Sequence, residues 1–432
     1  MGKKSRMTMM DSSSDVTCKI PDEILIDILS RLSMKEAART SVLSHRWQNL
    51  WKFHNGCLDF DDLGNSKMLL YKGERDFHVE RRRYVEWVNQ VLVSHQYPSI
   101  QQFRAYFDLG KDHSSMIESW IHFAAAKRVR RLELDLSSLF SSVKELEEIY
   151  NLPIQLLGEL NLKLLTSLRL NAVDVSEEHV IGFLSQCPLL EELSITGAPS
   201  LRKLKVVGGG DFKLKHLEII KCLELDHLEV SGARSLASFK YEESYLVQTA
   251  SFPYLTATHV SLDPFLLALN LSLVLLEEFP QFTNLCYLEL AFGRELDDEQ
   301  QRKLFVGIFL RASPRLHKLV LKYDRSKPQR SYLYTTGMSV EFGETQQQLV
   351  KGCKYECLKE VEFLGWNGLA ADAELFTHLI EAAGSLEKVT VDTRDPFPNK
   401  FLEEQIPSME DARDRARDLE AKLSPATKLV VL

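Results

Sequence analysis

Cys353 and Cys357 stand four residues apart, near the spacing of a zinc-ligand pair, and Gly208-Gly209-Gly210-Asp211 has the glycine density of a phosphate-cradling loop. Neither motif is completed. A structural zinc site takes four ligands, and no second Cys or His pair follows at ligand spacing, so the two read as loop cysteines. A phosphate loop needs Lys followed by Ser or Thr and a helix behind the glycines. Neither follows, so residues 208–211 read as a turn. His45-Arg46 has no Ser or Cys nucleophile placed beside it by a catalytic motif. His179, His216, His227, His259 and His317 are spread along the chain rather than clustered. A G-x-S-x-G elbow is absent, and the acidic pair Glu191-Glu192 falls at a strand or turn position. The expectation is therefore no catalytic residues, no metal and no cofactor. The chemistry to look for is that of association.

Composition narrows the partner. The chain has 432 residues with 53 Lys and Arg against 61 Asp and Glu, a formal charge of −8. A dedicated nucleic-acid binder usually shows a basic surplus, so nucleic acid is not expected as a partner. Hydrophobic residues make up 44% and charged residues 26%, enough to bury a core. Seven scattered cysteines, an odd number, argue for a reducing compartment rather than a disulfide framework. The most apolar run, Pro264–Leu276, is interrupted by Asn270 and Ser272 and is too short to span a bilayer, so no membrane is expected. The first residues lack the apolar core of a signal peptide. Lys3-Lys4-Ser5-Arg6 is too weak a basic cluster to decide between nucleus and cytoplasm, and either or both are expected.

The elements that would position an association site begin at residue 17, after a polar tail at 1–16. Pro21 suits a helix start, because its missing N–H costs nothing there. Asp22 and Glu23 follow at the positive end of the dipole. Ile24, Leu25, Ile28, Leu29 and Leu32 then share a face. Ser33 and Glu36 form an S-x-x-E capping box for a second helix containing Ala37, Ala38, Val42 and Leu43. Ser44 opens a third with Trp47, Leu50 and Trp51, a heavy apolar load for so short an element. Residues 61–76 read as an exposed loop. Longer helices are expected from about Val79 to His95, with Arg81–Arg83 on a solvated face, and over Met116–Ala126.

From Val129 the grammar is LxxLxL. It recurs at Leu165, Leu190, Leu201, Leu214, Leu225, Leu236, Leu285, Leu316, Leu358 and Leu386, and Val129-Arg-Arg-Leu132-Glu-Leu134 opens it. This is the signature of leucine-rich repeats, in which neighbouring units must stack to bury their apolar faces. Units 165 and 190 lie 25 apart, a normal repeat, whereas those from 190 to 236 lie only 11 to 13 apart. Alternate units on opposite faces of one coil would explain the half-spacing. The rival is an antiparallel meander, and parallel pairing between units 190 and 214 would separate them. Residues 324–355 interrupt the series. Leu375, Leu379, Ile380 and Ala383 suggest a helix, Met409 to Leu423 another, and Lys428–Leu432 a final strand.

The stretch Cys18–Phe53, with Ile20-Pro21 at its start and Ser44-x-x-Trp47-x-x-Leu50-Trp51 at its end, resembles an F-box of the plant form. YVEWVNQVL at 84–92 and WIHFAAAKRVRRLELDL at 120–136 are similar to connecting segments of plant F-box/leucine-rich-repeat proteins. The tail from Cys357 resembles the FBD module that often ends them. The resemblance implies an α+β architecture: a three-helix F-box at 17–55, a helical connecting region at 56–128, an irregular leucine-rich-repeat solenoid at 129–350, and an α/β FBD-like cap at 351–432. It implies a substrate-recognition subunit of a cullin-RING ubiquitin ligase. Its F-box would dock on a Skp-type adaptor, which reaches the cullin and RING subunits, while the repeats hold a protein substrate. The alternative is a non-degradative repeat scaffold that uses the F-box for assembly. Carried onto this sequence, the adaptor-binding residues are Ile20, Pro21, Ile24, Leu25, Ile28 and Leu29, with Val42, Leu43 and Trp47 as anchors. Several of these could instead only pack the three helices together, and for Leu32, Leu50 and Trp51 the two readings weigh equally.

Overall fold

The structure is a computed structural model of the chain. It describes residues 20–61, 74–137, 146–208, 213–231, 233, 235–242, 249–251, 259–262, 282, 284–292, 299–323, 353–366, 368–394 and 409–432. The expected N-terminal tail, most of the 61–76 loop, the glycine turn beyond Gly208, Pro264–Leu276 and most of the 324–355 interruption lie outside the described residues. The described residues fall into two compact units. The first draws on Met1–Leu109, His113–Ser142 and Leu160–Leu162, and the second on Gly110–Asp112, Val143–Glu159 and Lys163–Leu432.

The first unit opens with α1 (Asp22–Leu29) and α2 (Met34–Arg39). A 3-10 turn at Thr40–Val42 and a 3-10 run at Trp47–Phe53 follow. Then come β1 (Cys57–Asp61), α3 (Glu74–Ser94), β2 (Gln102–Tyr106), α4 (Ser114–Ala126) and β3 (Arg131–Asp135). The three strands pair in parallel, Leu58 opposite Phe103 and Phe103 opposite Leu132. Region 56–128, expected to be helical, thus contains two strands. Leu58 and Phe60, like Phe103 and Ala105, alternate with half-buried polar residues and are buried. Tyr84 of α3 holds two strands at once: its hydroxyl donates to the Phe60 carbonyl at 2.8 Å and accepts from the Tyr106 N–H at 3.1 Å. The basic triplet of α3 is not simply a solvated face. Arg81 pairs with the buried Asp108 at 3.1 Å, and Arg83 with Glu80 at 2.9 Å.

The second unit contains β4 (Tyr150–Asn151), α5 (Ile154–Glu159), β5 (Ser167–Asn171), β6 (Val173–Asp174), α6 (Glu177–Gln186), β7 (Glu192–Thr196), β8 (Lys203–Val207), β9 (His216–Ile220), β10 (His227–Ser231), β11 (Ser238–Glu242), β12 (Thr249–Ser251), β13 (His259–Leu262), β14 (Tyr287–Phe292), α7 (Glu299–Ala312), β15 (Lys318–Tyr323), β16 (Glu360–Leu364), α8 (Ala370–Ala382), β17 (Lys388–Asp392), α9 (Met409–Asp418) and β18 (Lys428–Val431). One parallel sheet runs β5-β7-β9-β11-β13-β14-β15-β16-β17-β18, and a second runs β12-β10-β8. Unit 190 pairs in parallel with unit 214, Leu193 opposite Leu217, and unit 201 pairs in parallel with unit 225, Leu204 opposite Leu228. Alternate short units therefore stand in different sheets, and an antiparallel meander is excluded there.

The spacing has a physical cause. A strand advances about 3.3 Å per residue and a helix about 1.5 Å, so a return made by a strand needs fewer residues. Coils that return through β8 or β10 are 24 and 22 residues long, whereas the one that returns through α6 takes 25 and the one through α7 takes 31. In each described unit the three leucine-type positions are buried, as with Leu190, Leu193 and Ile195 or Leu316, Leu319 and Leu321. The turns that leave β5, β7 and β9 share a left-handed residue, at Ala172 (φ 52°), Gly197 (φ 68°) and Lys221 (φ 53°). They are laced together, Ala172 N–H to the Thr196 carbonyl and Gly197 N–H to the Ile220 carbonyl.

Candidate docking site

The first helices are held by local chemistry that the sequence announces. Pro21 stands just before α1 and its carbonyl accepts from the Ile24 and Leu25 N–H groups, both at 3.2 Å. The Ser33–Glu36 capping box forms in full. The Ser33 N–H donates to Glu36 Oε2 at 3.0 Å, the Glu36 N–H to Ser33 Oγ at 3.3 Å. The Ser33 hydroxyl also holds the Glu36 carboxyl below its usual range. The second helix stops sooner than expected. Thr40 Oγ1 donates back to the Ala37 carbonyl at 2.7 Å, the chain tightens into the 3-10 turn, and Val42 and Leu43 lie beyond the helix. A run of Thr, Ser and Val has low helix propensity and competing hydroxyls, which explains the early end. The third element is 3-10 rather than α. At three residues per turn Trp47 and Leu50 eclipse each other, so both enter the core.

That core consists of Leu25, Leu29, Ala37, Trp47 and Leu50, with Ile20, Ile26, Leu32 and Trp51 half-buried against it. Nine expected adaptor-binding residues are thereby sorted. Leu25, Leu29 and Trp47 point into the module, with Leu29 fully buried. Ile20 is half-buried and Pro21 exposed. Ile24 and Ile28 are 53% and 44% exposed, and Val42 and Leu43 are 87% and 65% exposed. The five apolar positions of the first helix do not share one face: Leu25 and Leu29 form an inner stripe, Ile24 and Ile28 an outer one. The i, i+4 spacing of each pair is visible in sequence, but which pair faces inward depends on Trp47 and Leu50.

Polar contacts fix the module. Arg46 Nε donates to Asp22 Oδ1 at 2.7 Å and its guanidinium also reaches the Ile20 carbonyl. The Asn55 N–H donates to Ser30 Oγ at 3.0 Å. Gly56 passes so close to α1 that a Cβ there would stand 2.3 Å from the Ser30 carbonyl oxygen. His54 Nε2 donates to the Leu32 carbonyl at 3.3 Å, and His95 Nε2 donates to the His54 carbonyl at 2.7 Å. Burial lowers the pKa of His54 and pushes that of His95 down to about 4, so both are neutral donors near pH 7. Sequence reasoning placed His95 only as the end of a helix and passed over His54, and the contact between them has no local signal.

The other candidate chemistry is not assembled. His179 is buried and accepts the Ser176 N–H at 3.1 Å while donating to the Leu152 carbonyl at 2.8 Å, a helix-start contact. His216, at the start of β9, and His317, just before β15, are exposed and stand on separate units. Burial pushes the Cys187 thiol up to about 12 and Cys222 to about 11, which leaves them protonated. A cleft of 270 Å³ lies between Leu310–Leu316 and Cys353–Leu358, and no histidine lines it. Among the described residues no group of three His, Cys, Asp or Glu side chains is placed to hold a metal, and no helix is long and apolar enough to cross a membrane. What the first module does leave in water is a set of aliphatic side chains, Ile24, Ile28, Val42 and Leu43.

Comparison with known proteins agrees in kind. Residues 18–58 match the F-box domain, and residues 91–263 and 274–422 match the leucine-rich-repeat domain described as At1g61320/AtMIF1. Among Arabidopsis thaliana relatives, the putative FBD-associated F-box protein At1g55030 is 28% identical over 82% of this chain and 84% of its own length. The F-box/FBD/LRR-repeat protein At4g26340 is 25% identical over 86% of this chain and 91% of its own. The F-box/LRR-repeat protein At3g26922 is 28% identical over 55% of this chain and 80% of its own. With its repeat match spanning more than half the chain and an F-box ahead of it, this chain belongs to the plant F-box/leucine-rich-repeat proteins.

Proposed function

We infer that the chain is the substrate-recognition subunit of a cullin-RING ubiquitin ligase. An F-box joined to leucine-rich repeats is a substrate-adaptor type of architecture. The finer reading is that residues 18–58 dock on a Skp-type adaptor and, through it, on a cullin and a RING subunit. The repeats, wound as a solenoid and closed by an FBD-like cap, hold a protein substrate in the nucleus or cytoplasm. The observation that supports it most is the sorting of apolar side chains in the first module. The module buries Leu25, Leu29 and Trp47 yet leaves Ile24, Ile28, Val42 and Leu43 in water. Fully burying an aliphatic side chain is worth roughly 1.5–3 kcal/mol, so a partner that covers these four has a sizeable driving force. Ile20, half-buried, and Pro21, exposed, stand at the start of α1 beside them in sequence. The mechanism is proximity: a substrate held by the same assembly as the transferring enzyme reacts as if intramolecular.

Reconstitution tests this. The full chain, a Skp-type adaptor and a cullin-RING pair are combined, and co-purification and ubiquitin transfer to a bound protein are read together. Co-purification with transfer is expected. Adaptor binding without cullin recruitment or transfer would favour the non-degradative scaffold, and no adaptor binding would overturn the F-box role.

A further inference from the structure

Coils of the second unit turn into their strands in a shared way. A buried residue stands just ahead of the leading leucine, and its carbonyl accepts the N–H of that leucine, as Cys187 does for Leu190, Phe282 for Leu285 and Ala383 for Leu386. Ala198, Cys222 and Ala233 fill the same place in their own coils. Two successive coils depart from this apolar or thiol filling. Ser313 stands ahead of Leu316 and Tyr355 ahead of Leu358, their carbonyls accepting at 3.0 and 3.3 Å. The two are neighbours in register, because the strands they lead into pair with Leu319 opposite Val361. Ser313 is 2% exposed and Tyr355 7%. Neither hydroxyl has a hydrogen-bond partner among the described residues, an arrangement that costs stability. Both side chains line the cleft between Leu310–Leu316 and Cys353–Leu358.

The rest of the lining sets the chemistry. Leu310, Pro314, Leu316 and Leu358 supply an apolar wall, and Arg311 and Lys354 outnumber Glu356. Burial raises the Tyr355 phenol above its ordinary range, so it remains a proton donor near pH 7. The Ser313 hydroxyl can donate as well. A bare inorganic anion would leave the wall of a 270 Å³ cleft uncovered. We propose that the cleft binds a small organic carboxylate, its anionic oxygens taking the Ser313 and Tyr355 hydroxyls and its apolar body lying on the leucine wall. Hydrogen bonds to an ionised group are the stronger kind, and binding pairs two hydroxyls that the fold leaves unpaired. The site lies within the second unit and does not rest on adaptor docking.

Titration of sodium benzoate into the full chain, followed by saturation-transfer NMR, tests this, with benzamide as the neutral counterpart of the same shape. Benzoate is expected to bind in the millimolar range, as suits so small a ligand, and benzamide about tenfold more weakly. Ser313→Ala and Tyr355→Phe each remove one hydroxyl. Each is expected to weaken benzoate about tenfold. Without benzoate each is expected to melt at or above the wild-type temperature, since the deleted group was unpaired. Absence of benzoate binding to the wild type, equal binding of benzamide, or wild-type affinity in either variant overturns the proposal. So does a lower melting temperature of either variant without benzoate, which would show that the hydroxyl already serves the fold.

Discussion

Arg46 donates to Asp22 across 24 residues of sequence, at 2.7 Å, and so ties the first turn of α1 to the segment that follows Val42 and Leu43. The same guanidinium takes the Ile20 carbonyl. One side chain thus links the two stretches that carry the exposed apolar residues. The pair is partly exposed, so its worth to stability is about 0.5–1 kcal/mol. Arg46→Ala is expected to lower the melting temperature slightly and to weaken adaptor binding more than that loss explains. Equal, small effects on both would show that the link only stabilises the module.

Leu29 and Ile28 are neighbours with opposite roles. Leu29 is fully buried in the module's core and Ile28 is 44% exposed. Leu29→Ala is expected to destabilise the module by about 2–5 kcal/mol, as core truncations do. Ile28→Ala should change stability by no more than about 0.5 kcal/mol. Hydrogen exchange at the amides of α1 and α2 measures both. Equal loss of protection in the two variants would contradict the inner and outer stripes.

The His54–His95 relay gives the first unit an acid limit. Each ring donates through Nε2, and its Nδ1 is buried without a partner, so a proton added there has no acceptor. The folded pKa of His95 is about 4 and that of His54 is also depressed, against 6.5 for an unperturbed ring. The unfolded chain therefore binds more protons between these values. The stabilisation is complete above about pH 6.5 and falls as pH drops towards 4. His95→Gln keeps a donor for the His54 carbonyl and is expected to flatten the decline of stability over that window. Denaturant unfolding at pH 7, 6 and 5 checks it, and an unchanged slope would contradict the relay.

Lys221 occupies the left-handed position that Gly197 fills one coil earlier. A side chain there is strained by about 1–2 kcal/mol, part of which glycine gives back as backbone entropy. Lys221→Gly is expected to stabilise the repeat unit by about 0.5–1 kcal/mol, read as a rise in its unfolding midpoint.

Much of this was written in the sequence, and what was missing has a common cause. The repeats were legible because each unit states its own period, and even the half-spaced units showed that two faces were in use. The capping box of α2 was legible because Ser33 and Glu36 interact within one turn. The strands at Cys57–Asp61 and Gln102–Tyr106 were not foreseen: Leu58-x-Phe60 has Asn55 in the leading apolar position, and Ile100-x-x-Phe103-x-Ala105 keeps the spacing but carries no leucine. The sorting of Ile24 and Ile28 from Leu25 and Leu29 was also out of reach. Local periodicity puts all four near one face, and the choice between stripes is made by Trp47 and Leu50, some twenty residues on. The early end of α2, which puts Val42 and Leu43 into solvent, turns on the hydroxyl of Thr40 rather than on apolar spacing.

The central claim is that the outer stripe of the first module, and not its core, meets the adaptor. Titration calorimetry of a purified Skp-type adaptor into the full chain, beside an Ile28→Asp/Val42→Asp variant with the wild-type melting profile, tests it most directly. Two anchors that become buried only on binding, worth about 1.4 kcal/mol or more each, correspond to a loss of roughly 100-fold in affinity, and that loss is the predicted result. Wild-type affinity in the variant would contradict the account.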